Sequence, residues 1–132
     1  EQKERKTLPI SIFGEEMPQN WCSYYQRADL ARQRENWQEV VSFWEEAQAN
    51  DKHPENGFEY IPFIEGYAHE GQWREVKQLT RNANKVSQGM APVLCTTLIR
   101  VEGQTSDFAE RDVIMTDLFN DLGCDIKELS GG

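Results

Sequence analysis

Residues 24–50 recur 36 positions further along the chain, and this internal repeat limits the possible folds more than any other feature. The offset superposes Tyr24 on Tyr60, Trp37 on Trp73, Glu39 on Glu75, Val40 on Val76 and Ala47 on Ala83. Chance would give roughly one or two such identities. A unit of this length is one helical hairpin, which cannot bury its apolar face alone, so the copies are expected to stack.

The periodicity inside each unit is helical. From Asn20, a good N-cap, apolar side chains recur at Trp21, Tyr24, Tyr25, Ala28 and Ala31. Asn36 interrupts the pattern, which resumes at Trp37, Val40, Val41, Trp44 and Ala47 and stops in a stretch holding Pro54 and Gly57. The second unit places Phe58, Ile61, Ile64, Tyr67 and Ala68 on one helix, Gly71 at the turn, then Trp73, Val76, Leu79, Ala83 and Val86, with Gly89 as the stop.

A less regular third pair follows. Its first helix runs from Ala91 to about Val101, Gly103 to Ser106 make the turn, and Asp107 with Glu110 can form a capping box. The last apolar stripe is Phe108, Met115, Leu118, Phe119 and Leu122, and Gly123 is a C-terminal stop. The expected organisation is an irregular lead-in at 1–19, a helical domain at 20–122 with hairpins at about 20–50, 57–88 and 91–122, and a tail at 123–132. The fold class is all-α: stacked antiparallel helical hairpins, about six helices.

The repeat-defining residues are packing types. Trp37 and Trp73 sit just after the inter-helix turn, where a large ring can fill the gap between paired helices. Ala47 and Ala83 lie where close backbone approach demands a small side chain. Together with Tyr24, Tyr60, Val40 and Val76 they form the structural signature of the repeat.

This arrangement resembles the tetratricopeptide repeat, which implies a right-handed α-α superhelix with a concave face built by the first helix of each hairpin. It departs from the family in its period of 36, in Glu35 at the turn Gly of the first copy, and in having only Pro54 near the closing Pro. A second resemblance lies in the run IFGEEMPQNWCSYYQRADLARQRENWQEV at 12–40 and PFIEGYAHEGQW at 62–73. These are similar to the soluble C-terminal segment of bacterial multi-spanning membrane proteins of the glycosyltransferase type. That likeness implies that sugar-transfer chemistry belongs to a membrane portion outside this sequence, and it carries no catalytic residue into this one. With Glu rather than Met at its start, the chain reads as a piece of a longer protein, membrane-associated through its parent. A free-standing cytoplasmic adaptor is the alternative.

Composition narrows the partners. The net charge is −9, and after Val101 eight carboxylates face only Arg111 and Lys127, a balance that repels nucleic acid and anionic lipid. No run approaches the ~20 apolar residues that span a bilayer, so this fragment is not expected to insert by itself. Cys22, Cys95 and Cys124 are odd in number and widely spaced, so they predict buried or unreactive thiols rather than a disulfide framework or metal knuckle.

No catalytic residue, cofactor or metal is expected. His53 and His69 lack the close pairing of zinc hydrolases, and the neighbours Glu45 and Glu46 diverge by about 100° on a helix. The expected function is a non-catalytic protein-interaction or assembly module, binding a protein, a peptide or the rest of its own parent chain. On the concave side the tetratricopeptide pattern places Tyr25, Asp29, Arg32, Phe58, Ile61, Glu65 and His69, joined by Cys22, Gln33 and Ala68. Asp29 and Glu65 stand where carboxylate-gripping residues would be needed, which predicts a cationic or aromatic ligand. The alternative is that Tyr25, Phe58 and Ile61 only pack against neighbouring segments of the chain.

Overall fold

The computed structural model describes residues 20–107 and 109–125, so the lead-in, Phe108 and the last seven positions of the tail lie outside it. The fold is all-α. Among the described residues its six helices are α1 (Trp21–Gln33), α2 (Trp37–Ala49), α3 (Ile61–His69), α4 (Trp73–Val86), α5 (Ala91–Gln104) and α6 (Ala109–Leu122). None of them is long and apolar enough to cross a membrane.

Local chemistry sets the helix ends. The Asn20 side chain accepts from Ser23 N at 2.9 Å to start α1, and Asn36 accepts from Glu39 N at 3.3 Å to start α2. The turn that closes α1 is repeated at the end of α3. Asn36 N donates to Ala31 O and Glu35 N to Arg32 O; 36 residues later Gln72 N donates to Tyr67 O and Gly71 N to Ala68 O. Both turns need a left-handed residue, met by Glu35 at φ 58° and Gly71 at φ 75°. The same pair of bonds ends α2 around Asp51 and α6 around Gly123.

The three hairpins pack in order. α1 lies on α2, α3 on α4 and α5 on α6, while the first helices meet side by side, α1 with α3 and α3 with α5. An aromatic cluster seals the first hairpin to the second: Trp44 lies 5.0 Å from Phe63 and 6.1 Å edge-on from Trp21, with Tyr60 at its other side. Gly66, in the middle of α3, permits close approach to α2, since a Cβ there would fall 2.7 Å from Val40 Cγ1. Met90, Leu94, Leu98, Val101, Met115 and Leu118 fill the space beneath the third hairpin, every one of them buried.

Four expectations change. Phe58 does not belong to the face of α3; it sits in a single 3₁₀ turn, Gly57–Tyr60, and is 52 % exposed. Helix α5 continues to Gln104, beyond the apolar pattern, where the buried Arg111 guanidinium donates to Thr105 O and to Glu102 O, the carbonyl that also accepts from Thr105 N at the helix end. The carboxylates of the expected capping box go elsewhere, Asp107 to Arg111 and Glu110 to Arg74. The cysteines are not three thiols: Cys95 on α5 is disulfide-bonded to Cys124 just past α6, with Cα atoms 5.7 Å apart, and Cys22 is free and exposed. Wide separation in sequence, 29 residues here, says nothing against pairing once a hairpin brings both ends together.

Candidate binding groove

Two rows of side chains cross the first helices. Positions four apart on a helix share a face, so Glu65 and His69 on α3 rise together, as do Arg100 and Gln104 on α5. Adding Gln33 and Arg32 from α1, Glu35 from the first turn and Trp37 from the start of α2 gives the lining of an open groove of about 550 Å³.

The inner row is ionic. Glu65 is buried, its side chain only 6 % exposed, with Oε2 accepting from Arg100 Nη2 and Oε1 3.9 Å from Arg32 Nη1. Asp29 stands behind: its Oδ1 accepts from Arg32 Nε at 3.0 Å and Nη2 at 2.7 Å, and its Oδ2 accepts from Gln33 at 3.1 Å. Burial works to lower the Arg32 pKa, but the Asp29 bond and charge, with Glu65, raise it above its ordinary value. Arg32 already has Asp29 as its hydrogen-bonded partner. Arg100 differs: among the described residues its one hydrogen bond is to Glu65, leaving Nε and Nη1 on a half-exposed side chain for another acceptor.

The outer row is flat and polar. Trp37 lies parallel to the His69 ring, with centroids 4.1 Å apart and planes within 5°, and His69 Nε2 is 3.0 Å from Gln104 Oε1. Trp37, half-buried and packed against the core, also lines the groove, whereas its repeat mate Trp73 is buried. The remaining signature residues, Tyr24, Val40, Ala47, Tyr60, Val76 and Ala83, are all buried.

Of the seven expected groove residues, Arg32, Glu65 and His69 line the cavity and Asp29 braces it. Tyr25 and Ile61 are instead half-buried against the core, Tyr25 beside Trp21, and Phe58 is on the 3₁₀ turn. A cationic ligand does not suit this geometry, because the carboxylates of Asp29 and Glu65 already hold guanidinium groups.

Arg100 and Gln104 went unrecognised in the sequence, although a signal existed. The positions Asp29, Glu65 and Arg100 follow one another at offsets of 36 and 35, as do Gln33, His69 and Gln104. Carrying the 36-residue period one copy further lands on Val101 and Thr105, the immediate neighbours of both. No family model, characterised protein or solved structure matches this chain.

Proposed function

We propose that this chain is a non-catalytic protein-interaction or assembly module of tetratricopeptide type, and that the groove across α1, α3 and α5 is its recognition surface. The observation that carries this reading is the pair of rows at repeat-equivalent positions, ending on Arg100 with unused donors. Glu65, the deepest carboxylate of the groove, accepts from Arg100 through one oxygen and stands 3.9 Å from the Arg32 guanidinium with the other, so its role is to position these groups. Gln33 and Gln104 offer amides, which can both donate to and accept from a polypeptide backbone. The fitting ligand is a polypeptide segment that presents a carboxylate or carbonyl acceptor to Arg100 and a flat group to the Trp37 edge of the groove.

The likeness of positions 12–40 and 62–73 to the soluble terminus of membrane glycosyltransferases supports placing this domain on such a parent. The segment bound would then come from the parent chain or from an assembly partner. A free-standing adaptor would bind a peptide from a separate protein in the same groove.

A photo-crosslinking residue at Gln104 of the native full-length protein, compared with one at the exposed Val113 of α6, tests this in cells. The expected result is a discrete adduct from Gln104 alone. Its tryptic peptides would identify the parent chain or a separate protein, dividing the two versions. Equal or absent adducts at Gln104 would contradict groove recognition.

A further inference from the structure

Helix α6 closes the stack and is weakly held along its outer side. Of its three ion pairs to α4, Arg74–Glu110 and Arg81–Asp121 are exposed and Lys77–Asp117 is half-buried, and exposed pairs add little stability. Firm attachment comes from the buried Ile114, Met115 and Leu118, from Arg111 at one end, and from the Cys95–Cys124 bond at the other. Cys95 is 3 % exposed in the middle of α5, and Cys124 follows the left-handed Gly123 that ends α6, so the bond pins the last turn of the domain to its core. Bonds of this structural kind persist in oxidising compartments and are rare where glutathione and thioredoxin keep thiols reduced.

We infer that the domain matures and works in an oxidising compartment outside the cytosol, with Cys95–Cys124 as a permanent clip and Cys22 as its free thiol. Closure is an exchange with a dithiol–disulfide oxidoreductase in its oxidised form. The Cys124 thiolate, on the less buried side chain, attacks the disulfide of that enzyme to give a mixed disulfide and release one enzyme thiolate. The Cys95 thiolate then attacks the Cys124 sulfur and expels the second enzyme thiolate. Two protons and two electrons leave the domain, and the oxidoreductase ends as a dithiol. If the domain hangs on a membrane parent, this fixes its side as the one facing away from the cytosol. The inference does not depend on the groove: it rests on the cysteine pair alone.

The exposed Cys22 makes the test direct. Cells producing the native full-length protein are treated with a membrane-impermeant maleimide, quenched in acid, denatured, and tagged with a second maleimide before and after reduction. Tags are mapped by mass spectrometry to the peptides of this domain, and a Cys22→Ser variant identifies the first. The expected pattern is labelling of Cys22 by the impermeant reagent, with Cys95 and Cys124 tagged only after reduction. Tagging of Cys95 and Cys124 without reduction would overturn the inference, as would protection of Cys22 in intact cells followed by labelling on lysis. A Cys95→Ala, Cys124→Ala double variant keeps the topology arm readable, since Cys22 labels from outside whether or not the clip can form.

Discussion

At the scale of single residues, the turns inside the first two hairpins make a natural experiment. Glu35 and Gly71 occupy the same place in the same hydrogen-bonded turn with nearly the same positive φ, yet only one is glycine. A side chain in the left-handed region costs roughly 1–2 kcal/mol, partly offset by the greater freedom glycine has when unfolded. Glu35→Gly is therefore expected to raise stability by about 0.5–1 kcal/mol in urea unfolding. Gly71→Ala, with no atom within 4 Å of the new Cβ, should lower it by about 1 kcal/mol from backbone strain alone. Equal effects of the two substitutions would contradict the shared turn.

The tyrosines predict a response to alkali. All four, Tyr24, Tyr25, Tyr60 and Tyr67, have phenols pushed above their ordinary pKa, first by burial; at Tyr67, the most affected, the carboxylates of Glu45 and Glu75 add to it. The folded state thus keeps protons that the unfolded chain gives up near pH 10. Stability from this source is complete below about pH 10 and falls as pH rises, by up to ~1.4 kcal/mol per pH unit for each buried phenol. The urea midpoint should decline above about pH 10, less steeply in Tyr67→Phe. A midpoint that stays level through that range in the wild type would refute the burial of these phenols.

Between elements, glycines divide by contact. In α3, Gly66 faces Val40, a fully buried β-branched side chain with little freedom to move. Gly66→Ala should cost about 1–3 kcal/mol by overpacking, although alanine is the better helix former. Gly103 in α5 meets nothing within 4 Å, so Gly103→Ala should be neutral or stabilising by up to ~1 kcal/mol. Parallel thermal melts of the two variants check this, and loss of stability in both would argue against the α2–α3 contact.

The elements also show what the amino-acid pattern could convey. Helical period and turn residues read well because they act locally: Asn20, Asn36, Gly71 and Gly123 all mark helix ends. What failed was tertiary. Trp37 and Trp73 are identical in sequence and turn position, yet Trp37 has His69 against its face while Trp73 is enclosed, a difference set by neighbours and not by either residue. Glu65 looked like an acidic lure for cations, because its partner Arg100 lies 35 residues away on a helix whose copy of the repeat had lost the signature identities. The Cys95–Cys124 bond was hidden for the same reason, as closure depends on where α6 ends relative to α5.

For the whole molecule, acidity and recognition are separate matters. A net charge of −9 discourages anionic partners at long range, while the groove itself pairs its acids internally and leaves Arg100 as the available charge. Local contact governs a bound complex, and the surrounding field governs chiefly the approach. Glu65 is a poor residue with which to test this, since removing it strips a buried partner from two guanidinium groups and lowers stability along with binding.

The most direct measurement compares what the immobilised domain retains from lysate of its own host as wild type, as the groove variant Trp37→Ala, Arg100→Glu, and as Arg74→Glu on the far face, where Arg74 is 88 % exposed. Melting temperatures of all three are taken first, so that only folded protein is compared. Groove recognition predicts a partner held by wild type and Arg74→Glu and lost by the groove variant. A partner retained equally by all three, or lost only with Arg74→Glu, would contradict it.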